Sequence, residues 1–338
     1  MSFAGKSDFR SDTVTRPTPE MYEAMVSAPT GDDVFGDDPS VIALEELAAE
    51  LFGKEGALFV PSGTMANQIA CRTHCNRDAE ILLEATSHIF LYEQGGLAQL
   101  SGIQGRTVVG DRGVMDLDEL ASLVRGDDPH FPVTEMLALE NTHNSSGGSI
   151  LPFDYMLKAR EFTLAHNLRL HIDGARICNA EAATGISLAE YAAQADSISC
   201  CLSKGLAAPV GTVLAGEADF IRQARRTRKL FGGGMRQAGV IAAAGTVALR
   251  DMRVRLKDDH ARAKRLADGL NSRDGFSVVA PETNLVYVSC PGRARAFEEA
   301  CAAADVMTLA LNDDTLRFVT HKDIDDSDIN RVLEVPFN

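Results

Sequence analysis

Between residues 41 and 216, short apolar runs alternate with stretches in which apolar residues return every three or four positions. The runs at 57–60, 81–83, 107–109, 136–139, 168–172, 197–202 and 212–215 have strand length. They are largely apolar on both faces, as strands covered by helices on either side must be. Segments 41–52, 116–124, 153–166 and 187–193 carry the longer period and predict helices. Strands alternating with helices imply βαβ units and a mostly parallel sheet. Beyond residue 250 the pattern changes to a charged helix (256–270), apolar runs at 276–279 and 285–289, a helix (294–304), a strand (316–320) and a last acidic helix. The chain is therefore expected to form an N-terminal segment (1–40), a large α/β domain (41–245) and a small α+β domain (246–338). Gly232-Gly233-Gly234 marks a turning loop just before the boundary.

Composition narrows the function classes. The chain has 338 residues, 45% hydrophobic and 24% charged, an ordinary globular balance, and a net charge of −15. That charge argues against nucleic acid or an anionic membrane as the main partner, since both require a basic face. An anionic substrate or cofactor would need local Arg and Lys held against the overall sign. The first twelve residues contain no apolar run, so no secretory leader is expected. The longest apolar stretch, 238–249, is too short to cross a bilayer and is interrupted by Gly245 and Thr246. Seven cysteines, an odd number with Cys200 and Cys201 adjacent, do not suit a disulfide framework and point to a reducing cytoplasm.

In doubly wound sheets, ligands bind beyond the C-terminal ends of the strands, so the polar residues there are the ones to weigh. Ser62-Gly63-Thr64 follows the first strand and opens a helix, where free N–H groups suit a phosphate; the plainer role is an N-cap. Asp173-Gly174-Ala175-Arg176 ends a strongly apolar strand, and an acid emerging there requires a cation, either a ligand's or that of Arg176. Ser203-Lys204-Gly205 ends the next strand, where a lysine either is solvated or serves as an amine nucleophile. A phosphate cradle, an acid and a lysine at successive strand ends match the needs of pyridoxal phosphate (PLP). Cys71, His74 and Cys75 share one helix face but lack a fourth ligand or a paired CxxC, so no metal site is expected.

Seven motifs in order carry a closer likeness: Phe9-Arg10-Ser11-Asp12-Thr13-Val14-Thr15, Gly36-Asp37-Asp38-Pro39, Val60-Pro61-Ser62-Gly63-Thr64-Met65-Ala66-Asn67, Glu140-Asn141-Thr142-His143, His171-Ile172-Asp173-Gly174-Ala175-Arg176, Leu202-Ser203-Lys204-Gly205-Leu206 and Gly233-Gly234-Met235-Arg236-Gln237. Together they resemble the L-threonine aldolase family, PLP enzymes of the aspartate-aminotransferase fold type. The likeness runs from about residue 8 to beyond Arg317. Ala207 departs from it, at a position where relatives often carry Gly or Cys.

The resemblance implies retro-aldol cleavage of L-threonine or L-allo-threonine to glycine and acetaldehyde. It implies Lys204 as the covalent carrier of the cofactor, Asp173 as the partner of its ring nitrogen and His88 as the residue stacked on its ring. Gly63 and Thr64 are expected to hold the phosphate, while Ser11, Arg176 and Arg317 match positions that hold the substrate carboxylate. His88 and His143 both remain open as the group that takes the substrate's hydroxyl proton, as does a bound water. Lys229 and Arg236 resemble residues that reach a neighbouring subunit's phosphate, which implies a homo-oligomer, usually a tetramer, with shared sites. A bulkier β-hydroxy amino acid such as phenylserine, or β-elimination by the same cofactor, are the competing readings.

Overall fold

The structure, a computed structural model, describes residues 5–337. Its strands are Ser7–Asp8 (β1), Gly56–Val60 (β2), Glu80–Glu84 (β3), Gln104–Val108 (β4), Thr134–Glu140 (β5), Arg169–Asp173 (β6), Ser197–Cys201 (β7), Thr212–Gly216 (β8), Ser277–Val278 (β9), Leu285–Ser289 (β10), Val306–Met307 (β11), Leu309–Ala310 (β12) and Thr315–Val319 (β13). A seven-stranded sheet runs in the order β2-β8-β7-β6-β5-β3-β4. Five of its strands, β4, β3, β5, β6 and β7, are mutually parallel, and β8 is antiparallel to both β7 and β2. Every residue of β3, β7 and β8 is buried, as expected of strands sandwiched between helix layers.

Local chemistry defines the helices that cover this sheet. The helix Pro39–Phe52 starts with Pro in its first turn and is capped by Asp38, whose side chain accepts from the N–H groups of Ser40 and Val41. It ends at Gly53 with φ 57°, and it buries Val41, Leu44, Ala48 and Phe52 along one face. The helix Gly63–His74 is capped by Ser62, which accepts from Met65 N–H, and buries its face from Ala66 to Cys71. The apolar stretch 238–249 forms the buried helix Gly239–Val247 and the turn after it. No helix among the described residues is long and apolar enough to cross a membrane.

A second sheet, β12-β13-β10-β9, is antiparallel throughout. It packs with the helices Leu256–Asn271, Ala294–Ala303 and Asp326–Leu333 around Phe276, Phe297 and Phe318. Phe9 belongs to this core too and meets Phe318 edge-on, with ring centroids 5.9 Å apart. The reason is β1, which pairs in parallel with β11, Ser7 opposite Val306. Residues 7–9 thus dock on the C-terminal unit, and the chain then crosses to the large sheet.

The turn after β6 has no room for a side chain. A Cβ at Gly174 would lie 2.4 Å from the Ser199 carbonyl oxygen and 3.1 Å from Ile177 Cβ. Gly174→Ala is therefore expected to lower the unfolding free energy by about 1–3 kcal/mol in chemical denaturation. Gly126→Ala, where a Cβ meets nothing within 4 Å, is expected to leave it unchanged or slightly higher.

Candidate active site

The C-terminal ends of β5, β6 and β7 open into a cavity of about 450 Å³ that β12 and β13 close from the other side. Its lining includes Ser11, His88, Asp173, Ala175, Arg176, Lys204 and Arg317, together with Tyr92, Tyr287, Leu309 and Leu311. Of the residues singled out in the sequence, the structure therefore brings six into one cleft: Ser11, His88, Asp173, Arg176, Lys204 and Arg317.

Lys204 follows β7, and its backbone is fixed by Thr15, whose hydroxyl donates to the Lys204 carbonyl at 2.9 Å. No hydrogen bond or ion pair engages its Nζ among the described residues. A half-buried amine facing a cleft with no acceptor in direct contact is available for covalent chemistry.

Asp173 is buried, with its carboxylate held by two donors: Asn67 Nδ2 at 2.8 Å and Ala175 N–H at 3.1 Å. Both contacts suit an ionised acid with capacity left for a cation from the cleft. The orientation of Asn67 is over-determined. Its Nδ2 donates to Asp173 and Glu93, so Oδ1 must accept, and it does so from Ser199 Oγ and His171 Nε2, both at 3.2 Å. Burial pushes His171 down to about 4, so it is neutral, and its Nδ1 accepts from Ser197 Oγ at 2.8 Å. Ser197 in turn accepts from His74 Nε2 at 2.7 Å. A directional chain of hydrogen bonds therefore runs beneath the cleft and ends on Asp173.

Arg176 does not pair with Asp173. Asp12 takes it instead, with Nε to Oδ2 at 2.8 Å and Nη2 to Oδ1 at 2.7 Å, while Nη1 reaches Asn144 Oδ1 at 3.3 Å. Asp12 is fully buried, which alone would raise its pKa, but the attraction and hydrogen bonds of Arg176 prevail and hold it far below the usual carboxylate range. Arg317 lies on β13 opposite Tyr287, donates from Nη2 to the Arg10 carbonyl at 2.9 Å and has no acceptor at Nε.

His88 and His143 part company. His88 lines the cleft, and its Nδ1 meets Glu93 Oε1 at 2.9 Å. Desolvation would lower its pKa, but Glu93 and Asp173 outweigh that and raise it. His143 is 1% exposed and absent from the lining; its Nε2 contacts Glu84 at 3.1 Å and its Nδ1 contacts Ser146 Oγ at 2.9 Å.

Gly63 and Thr64 lie outside this lining, at the start of the helix Gly63–His74, and neither N–H has an acceptor among the described residues. A Cβ at Gly63 would stand 2.8 Å from Cys201 Sγ. The glycine turn packs on the same helix start, since a Cβ at Gly233 would meet Met65 Sδ. Lys229 and Arg236 flank that turn and are exposed. Lys229 has no ion-pair partner among the described residues, whereas Arg236 meets Asp32 at 3.0 Å. The residues fit PLP on structural grounds: a free amine, a buried carboxylate with spare acceptor capacity, and open N–H groups at a helix start.

A family model described as beta-eliminating lyase matches residues 8–291. The chain belongs to this family. A probable low-specificity L-threonine aldolase of Arabidopsis thaliana is 46% identical, covering 96% of this chain and 95% of the relative. A low specificity L-threonine aldolase of Escherichia coli is also 46% identical and covers 94% of both chains. Among solved structures, a putative L-allo-threonine aldolase of Listeria monocytogenes superposes with a TM-score of 0.83 at 23% identity, covering 98% of this chain and 96% of that one. A threonine aldolase of Leishmania major gives 0.85 at 20% identity, covering 97% and 98%. These two likenesses show the fold, the α/β architecture of the PLP-dependent transferases with its mostly parallel central sheet.

Sequence reading did not assign Asp12, Asn67 or Glu93. For Asn67 a signal existed: with Gln68 it is one of two polar residues among the buried positions of its helix, the others being Ala66, Ile69, Ala70 and Cys71. Glu93 carried none, because it sits in a mixed stretch that reads as solvated.

Removing the charge of Asp12 leaves Arg176 buried with only Asn144 beside it. Asp12→Asn is expected to destabilise the protein by about 3–5 kcal/mol in urea denaturation at pH 7. Because the folded-state pKa of Asp12 is depressed, its contribution is complete above about pH 4 and is lost as pH falls further. The gap between wild type and variant should therefore narrow below about pH 4.

Proposed function

We propose that the protein cleaves L-threonine or L-allo-threonine into glycine and acetaldehyde, with PLP carried on Lys204. The observation that carries this reading is the unpaired Lys204 amine in the same cleft as the buried carboxylate of Asp173. The two aldolase relatives, 46% identical along nearly the whole chain, support the choice of reaction.

When bound, PLP would supply an electron sink for the bond broken at the substrate's Cα. Asp173, already given two donors and free to accept another, keeps the ring nitrogen protonated. The N–H groups of Gly63 and Thr64 and the helix start behind them hold the phosphate. Arg317 and Ser11 hold the substrate carboxylate, the guanidinium matching its planar geometry. Arg176, committed to Asp12, shapes the wall and adds positive potential. His88 receives the proton of the substrate β-hydroxyl at Nε2, directly or through one water, as the Cα–Cβ bond breaks. The buried contacts of His143 give it a supporting place behind the cleft rather than this role.

The finer assembly and setting belong to the same reading. Lys229 and Arg236, exposed beside Leu230 and Phe35, which are 70% and 79% exposed, face a neighbouring subunit and contribute to its phosphate site in a homo-oligomer, a tetramer. All seven cysteines are free and buried, which suits a reducing cytoplasm.

Product analysis tests the reaction. With PLP-loaded protein, L-threonine or L-allo-threonine should yield glycine and acetaldehyde in equal amounts, and D-threonine neither. Pyruvate-type 2-oxo acid and ammonia in their place would move the assignment to β-elimination. Arg317→Leu is expected to lower kcat/KM by about 10- to 100-fold, chiefly through KM, as loss of a charge-assisted contact to the carboxylate requires.

A further inference from the structure

Beside Asp173 the site contains a second buried carboxylate with no part in the reading above. Glu93 has no exposed side-chain surface. Three donors converge on it: Asn67 Nδ2 at 2.9 Å, Gln68 Nε2 at 2.7 Å and His88 Nδ1 at 2.9 Å. One ring nitrogen of His88 and one carboxylate oxygen each of Glu93 and Asp173 lie within 4.8 Å of one another.

The surroundings of Glu93 are arranged around its charge. Gln68 turns its Nε2 towards Glu93 and thereby leaves its own Oε1 buried without a partner. Only a strong acceptor at Glu93 makes that orientation preferable to its flip. Asn67 divides its two N–H groups between Glu93 and Asp173, and the contacts at its Oδ1 prevent the amide from turning over. Glu93 is thus held in place from one side and meets the imidazole from the other. A carboxylate at Nδ1 requires a proton on that nitrogen, which leaves Nε2, the unpaired nitrogen of a ring lining the cleft, with its lone pair.

We propose that Glu93 is the positioning residue for His88: it selects the Nδ1–H tautomer and makes Nε2 the basic nitrogen available to the cleft. The groups facing His88 are Glu93, Asp173 and Lys204, with Tyr92 beside the ring and Glu140 accepting from the His88 backbone N–H. Lys204 opposes a charged imidazole, and the two acids favour it. When a cationic ring nitrogen occupies Asp173, Glu93 remains as the acid that sustains the basicity of His88. The inference rests on the proposed function only for what His88 does with its proton; the contact to Glu93 is independent of the reaction.

Ring-labelled histidine NMR on the full chain, without and with PLP, tests it, the His88 signal being assigned by its loss in His88→Asn. The neutral His88 ring should carry its proton on Nδ1; a proton on Nε2 would overturn the proposal with no variant needed. Glu93→Gln should lower the His88 titration midpoint by about one pH unit or more and move the acid limb of the kcat/KM profile down with it. Gln68→Met keeps Glu93 but removes one of its donors, and should raise the midpoint. A midpoint unmoved by Glu93→Gln, or lowered equally by both variants, would reduce Glu93 to packing. Since the tautomer and midpoint are read without turnover, they can stand or fall separately from the assigned reaction.

Discussion

The Asp12–Arg176 pair is the contact through which the two packing units and the chain start become one site. Asp12 is completely buried and satisfies the guanidinium at two nitrogens. Two desolvated charges are tolerable only in such close, fully bonded geometry. The pair anchors a short strap that begins where β1 joins β11 and ends at Thr15 on the Lys204 carbonyl. Between those points the Arg10 carbonyl receives Arg317. Lys204 and Arg317, which come from different sheets, are thus held by neighbouring residues of a single segment.

Electrostatics beneath the cleft follows from the same need to satisfy buried charge. The chain carries a net charge of −15, yet Lys204, Arg176 and Arg317 all line the cleft. Their charge is balanced by buried acids: Asp12 bonded to Arg176, Asp173 in the cleft wall itself and Glu93 beneath it. Glu140 completes that layer. Burial and the nearby Asp173 raise its pKa, while it accepts from the backbone N–H groups of His88 and Asn144 at 2.6 and 2.8 Å. The acidic layer therefore also shapes the two loops that form the cleft wall.

Much of this was legible in the chain. All seven strands of the large sheet appear within a few residues of their apolar runs; burial on both faces leaves a continuous signal in the inner strands, while the partly buried edge strand β4 starts three residues before its run. Asp173 and Lys204 stood out as polar residues ending such runs, and they meet in one cleft. The direction of β8 was not legible: an apolar run buried on both faces reads the same for either orientation, and β8 lies antiparallel to its neighbours. Nor was β1, whose two residues are too few to show a period. The partner of Arg176 also escaped the sequence. Asp173, three residues away, was the local alternative, but the acid that neutralises Arg176 lies 164 positions earlier in the chain.

The central claim is that Lys204 is the amine on which the chemistry takes place, and covalent trapping tests it most directly. Protein loaded with PLP would be reduced with borohydride, digested, and its peptides mapped by mass spectrometry. The account predicts a single pyridoxyl adduct, on Lys204, and none in the Lys204→Ala variant. An adduct on another lysine such as Lys229, or equal labelling of the variant, would contradict it.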